Sequence, residues 1–134
     1  MRLCHFALGV MLLASAGCGG KKADCQAVAK VLKDSGQKLA EGAKGKGDAD
    51  PSLAKMLEDY ASDLKAVKVS DAEVSKHRDA YAAGLTKQAT ATKSWQTANT
   101  ANDAAGKAAA TAQITAARTD QDKAGKELIA YCAK

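Results

Sequence analysis

Proline is nearly missing from this chain: Pro51 is the only one in 134 residues. Aromatics are scarce too, with one Trp, one Phe and three Tyr, and histidine occurs only as His5 and His77. Each shortage excludes something. With one proline, few β-branched clusters and an excess of Ala, Lys, Glu, Gln and Leu, the chain reads as helical and not as a sheet. There is no CxxC, HExxH or EF-hand spacing, so no metal site is expected, and without CxxCH there is no covalent haem. Met56 and His77 are too isolated a pair to argue for ligated haem, and no cofactor is expected. The lysines are interspersed with acids, as in Lys30, Lys33, Asp34, Lys38 and Glu41. No basic stripe interleaves with aromatics, so nucleic acid is not an expected partner.

Long apolar runs are also absent. The longest, Phe6–Ala14, has nine residues. A membrane span needs about 20. Preceded by Arg2 and followed by small residues, it has the form of an export signal, residues 1–17. Two cleavage readings follow. Ala14-Ser15-Ala16 is an A-x-A site, which would release a soluble exported protein. Ser15-Ala16-Gly17-Cys18 resembles the lipobox of bacterial lipoproteins, in which the cysteine is lipidated and becomes the first residue. The resemblance covers this segment alone. It implies lipidation of Cys18, membrane attachment through it, and, with Gly19 and not Asp next, an outer-membrane destination. Residues 18–23 would then be a lipidated cysteine and flexible tether, and residues 24–134 a single domain.

The four cysteines are Cys4, Cys18, Cys25 and Cys132. Export removes Cys4. If Cys18 carries lipid, Cys25 and Cys132 remain as an even pair in a compartment where disulfides persist. Loss of Arg2 leaves 19 Lys and Arg against 15 Asp and Glu, a net charge of +4 for residues 18–134. Most of that charge is a solvated helix surface. Weak attraction to anionic envelope polymers or lipid headgroups is the functional counterpart.

Four helices are predicted, at about 24–41, 51–67, 70–98 and 103–132. Asp24 is the expected N-cap of the first, whose stripe is Cys25, Val28, Leu32, Ser35 and Leu39. The glycine-rich "EGAKGKGDADP" (Glu41–Pro51) follows; it lacks the spacing and Ser/Thr of a phosphate loop and reads as a turn. Asp50-Pro51 opens the second helix, Asp as cap and Pro at its first position. Ser70-Asp71-Ala72-Glu73 is a capping box, so the third helix is expected to begin at Ser70. "NTAND" (Asn99–Asp103) is the last turn.

The stripes mirror each other. Cys25 would face Val67, Val28 face Leu64 and Leu32 face Tyr60 around the glycine loop. Val74 would face Leu128, Tyr81 face Gln121 and Leu85 face Ala117 around the Asn turn. The expected fold is therefore all-α: an antiparallel, up-down-up-down four-helix bundle made of two helical hairpins. This order brings Cys25 and Cys132 to one end, where a disulfide would form. The second hairpin is longer, roughly 42 Å against roughly 25 Å at 1.5 Å per residue. Its tip, Trp95–Asn102, is expected to overhang.

Other motifs carry little. Ser52-Leu53-Ala54-Lys55 has the SxxK of penicillin-binding enzymes without SDN or KTG. "LTKQ" (Leu85–Gln88) falls one residue short of the LTxxQ of helical periplasmic chaperones. No catalytic constellation is present and no enzyme activity is expected. Trp95, the only large apolar side chain between Thr86 and Gln113, is the candidate partner contact, against a structural role capping an Ala-rich hairpin. The expected function is a lipid-anchored envelope protein acting as a helical binding or spacer module, its partners an envelope protein or anionic envelope polymer. The alternative is a periplasmic carrier or holdase, favoured by a pocket lined by Tyr60, Tyr81 and Leu85.

Overall fold

The computed structural model describes residues 4–47 and 50–134, with side chains from Gly20 onward. It contains α1 (Cys4–Gly42), α2 (Pro51–Ala66), α3 (Ala72–Thr100) and α4 (Ala104–Cys132), and no strand among the described residues. No helix among them is long and apolar enough to cross a membrane. The helices pack as a bundle with α3 at its centre. α3 makes its broadest contact with α4 and its next broadest with α2, while α1 lies mainly on α2.

The local rules account for most of the boundaries. Asp50 caps α2, its carboxylate accepting from the Ser52 N–H at 2.8 Å, and Pro51 takes the first turn, where a missing N–H costs nothing. The last turn forms at "NTAND". Asn102 adopts a left-handed φ of 55°, and the N–H groups of Asn102 and Asp103 return to the carbonyls of Asn99 and Ala98. That is a Schellman ending, and it satisfies carbonyls the helix leaves open. Asp103 then caps α4 by accepting from Gly106 N–H at 2.9 Å.

Two boundaries differ from the sequence expectation. α1 does not begin at Asp24. It is helical through residues 18–23, the segment expected as a flexible tether. Lys21, Lys22 and Ala23 are good helix formers and extend the helix into Gly19-Gly20. Asp24 therefore has no open N–H groups of its own to cap and binds elsewhere. α3 starts at Ala72 and not at Ser70, because Asp71 is the cap: its Oδ1 accepts from Glu73 and Val74 N–H, both at 3.0 Å. Ser70 is held by Asp24.

The apolar core gathers Val28 from α1, Leu53, Leu57, Tyr60, Ala61 and Leu64 from α2, Val74, Ala82, Leu85 and Ala89 from α3, and Leu128 from α4. At 3/4 spacing each helix turns one stripe inward. Farther along, the contact between α3 and α4 is made mostly by small and polar groups, with Ile114 as a larger apolar side chain among them. Ala91, Thr92 and Ala98 are buried on one side, Ala110, Ile114 and Ala117 on the other. Helices approach closely here. A Cβ on Gly84 would come within 2.5 Å of Gln121 Cγ. Gln121 in turn donates to Gln88 Oε1 at 2.8 Å, a buried pair that satisfies two polar side chains within the seam.

Candidate functional site

The richest chemistry lies at one end of the bundle, where all four helices meet. Cys25 of α1 and Cys132 of α4 are at disulfide distance, with sulfurs 1.99 Å apart and Cα atoms 5.9 Å apart across a separation of 107 residues. The pairing expected from the cysteine count is the one observed.

One residue earlier on α1, Asp24 is buried and reaches the α2–α3 junction. Its Oδ2 accepts from Ser70 N–H at 2.7 Å, Ser70 Oγ at 2.9 Å and Asp71 N–H at 2.8 Å. These charge-assisted bonds are of the strong kind. The Asp71 N–H first, then Ser70, holds the Asp24 carboxyl below the usual carboxylate range; partial burial opposes this. Asp71 extends the network. Its Oδ1 caps α3, and its Oδ2 accepts from the Tyr131 hydroxyl of α4 at 3.0 Å. The Val74 N–H is the main cause that lowers the Asp71 carboxyl, and the hydrogen bond to Asp71 pushes the Tyr131 phenol up. Lys21 of α1 lies 4.3 Å above the Tyr131 ring, within cation–π range.

Two more side chains close this end. Arg78 donates to the Val67 carbonyl at 2.6 Å and to Ser75 Oγ at 3.0 Å, satisfying the carbonyl of the residue that ends α2. His77 is buried between two carboxylates, with Nδ1 3.5 Å from Glu127 and Nε2 3.7 Å from Glu73. The arrangement fixes geometry. The Asp24 and Asp71 carboxylates are occupied by backbone N–H groups. No group of three or more His, Cys, Asp or Glu among the described residues could hold a metal ion.

No family model, no curated protein and no solved structure matches this chain.

The other sequence-predicted residues are scattered. The Cys18 side chain lies outside the described residues. Trp95 is half-buried and does not stand on an overhang: the neighbouring Gln96 amide donates to the Asp50 carbonyl at 2.6 Å, so this turn of α3 sits level with the start of α2. Tyr60 and Tyr81 pack ring to ring, centroids 6.1 Å apart, against the cluster that holds Leu85, which is 1 % exposed. Met56 packs at Gly42, away from His77.

Three features had no reading in the sequence: the bond from Asp24 to a junction 46 residues away, the tie between Tyr131 and Asp71, and the exposure of Ile129. At 70 % exposed, Ile129 is the one large apolar side chain left in water among the described residues. Its isolation from the α4 stripe of Ile114, Ala117, Gln121, Ala124 and Leu128 is the signal that could have marked it.

Proposed function

We propose that this protein is a non-enzymatic, lipid-anchored component of the bacterial cell envelope, attached to the outer membrane through Cys18, that acts as a helical binding or spacer module. The observation that carries the reading is the fastening of one end of the bundle. Cys18 precedes Cys25 by seven residues, and at Cys25 and Asp24 the chain is tied to α4 and to the α2–α3 junction by a disulfide and three charge-assisted hydrogen bonds. An anchor at Cys18 would thus pull on a covalently closed end and not on a frayed one. The Asn102 turn would point away from the membrane, with Trp95 near it as the candidate contact for an envelope partner. The packing of Tyr60, Tyr81 and Leu85 against one another favours this over the carrier reading, which calls for a cavity among them.

In the same reading the helices run up, down, up and down as two hairpins. The pairs Tyr60–Leu32, Lys93–Glu58 and Lys87–Asp120 support that order. Zero-length crosslinking should join Lys87 to Asp120 and Lys93 to Glu58 within one molecule; failure of both would contradict it.

The functional test is incorporation of labelled fatty acid. The wild-type chain should take up label and sediment with membranes, and Cys18→Ala should lose both. A wild-type protein without lipid, retained on membranes equally well with Ala at position 18, would overturn the anchor.

A further inference from the structure

Beside the disulfide, α1 and the end of α4 border a groove of about 580 Å3. Lys21, Lys22 and Lys134 line it, with Cys25, Gln26 and Cys132. Among the described residues, none of the three lysines has a side-chain carboxylate within ion-pair distance; Lys33, Lys65 and Lys107 share that, but only these three line one groove together. The nearest acid in sequence cannot serve. Asp24 is turned into the junction, where Ser70 and Asp71 occupy it. Ile129, exposed to solvent, stands one turn before Cys132 on α4. This end of the molecule therefore gathers three lysines along one groove next to an exposed aliphatic side chain.

Position gives the charge a partner. α1 is continuous helix from Cys4 to Gly42, so Lys21 and Lys22 follow Cys18 by about 5–6 Å along the axis at 1.5 Å per residue. Acyl chains on Cys18 would set both ammonium groups in the headgroup layer.

We propose that Lys21, Lys22 and Lys134 form a membrane-surface contact that binds anionic phospholipid headgroups and sets the orientation of the bundle on the bilayer. The geometry rests on the lipid-anchor reading, but the binding chemistry does not, and the two can fail separately.

The test uses the full chain carrying Cys18→Ala, which cannot be lipidated at that position. Its sedimentation is compared on vesicles of phosphatidylcholine alone and on vesicles that also contain phosphatidylglycerol. The segment 1–17, with its cationic Arg2, is the same in every variant, so the lysine losses are read against a constant background. Binding should be tighter with phosphatidylglycerol and should weaken as salt is raised. It should drop about fivefold for each of Lys21→Gln, Lys22→Gln and Lys134→Gln, and on the order of 100-fold for the three together. Removing the same charge elsewhere, by Lys87→Gln, Lys93→Gln and Lys107→Gln, should leave it within about twofold. No preference for phosphatidylglycerol, or equal losses from the two triple variants, would overturn the contact. Preferential binding of dextran sulfate through the same three lysines would overturn the bilayer as its partner in favour of an anionic polymer. Loss of fatty-acid labelling with the lysine effects intact would remove the anchor and leave the contact standing.

Discussion

The two halves of this bundle are held by different physics. At the disulfide end, large side chains such as Leu57, Leu64, Val74, Leu85 and Leu128 fill the core, and a disulfide with two charge-assisted junctions ties all four helices. Toward the Asn102 turn, α3 and α4 meet mostly through Ala91, Thr92, Ala98, Ala110 and Ala117, with Ile114 as a larger apolar side chain and a buried Gln pair. Each Ala buries little area, and burial stabilises at roughly 25 cal/mol per Å2, so this seam depends on close approach and helix propensity. The lesson is that one end can be strongly specified while the other is built only from good local rules. Stability should then be graded along the molecule.

The largest way to break the grading is to open the disulfide. Cys25→Ser with Cys132→Ser should lower unfolding free energy by up to about 4–5 kcal/mol, as the chain-entropy account gives for a loop of this length, in chemical denaturation of oxidised protein. A loss under about 1 kcal/mol would mean that the noncovalent ties suffice.

Gly84→Ala sharpens the other side of the comparison. Alanine gains about 1 kcal/mol in helix propensity. Its Cβ would meet Gln121 Cγ at 2.5 Å and the Ala117 carbonyl at 3.4 Å, and overpacking of this kind costs about 1–3 kcal/mol. The net should be a loss of up to about 2 kcal/mol. A stabilised variant would show that the seam can yield without penalty.

Asp24→Asn should have a smaller effect at neutral pH and a diagnostic one in acid. The Asp24 and Asp71 carboxyls are both lowered by hydrogen bonds from backbone N–H groups. The stability such groups supply is complete above the ordinary carboxylate value of about 4 and is lost as the pH falls through the lowered one. Melting temperature followed from about pH 7 to about pH 2 should fall less steeply for Asp24→Asn than for wild type. An unchanged acid limb would remove Asp24 from the account.

The smallest effect is expected at Thr92, whose hydroxyl is buried without a protein hydrogen-bond partner. Thr86, Thr90 and Thr97 donate to the carbonyl four residues back and Thr92 does not. Thr92→Val keeps the shape and removes an unsatisfied group, so it should stabilise by up to about 1 kcal/mol.

What was legible in the sequence follows the same division. Asp50-Pro51, "NTAND" and the inward stripes were readable because capping and 3.6-residue periodicity act within a few residues. The meeting of Cys25 and Cys132 was readable because cysteine count and stripe symmetry both pointed to it. The register of α4 on α3 was not readable: Gln121, expected to face Tyr81, pairs instead with Gln88, and Tyr81 lies against Gly125. What could not be read was long-range. Asp24 has the look of a local cap, and it is a cap, but for backbone groups 46 and 47 residues away. That contact takes Ser70 out of its capping box and moves the start of α3 to Ala72. The bond from Gln96 to Asp50, 46 residues away and beside Trp95, has no periodic signature either.

Hydrogen exchange on the oxidised protein, read amide by amide before and after reduction, tests the graded bundle most directly, since local opening free energies span from near zero to the global value. Amides at 57–64 and 74–85 should exchange most slowly and those at 97–110 most quickly. Reduction should speed the first group by a larger factor than the second. Uniform exchange along α3 and α4, unchanged when the disulfide is opened, would contradict the account.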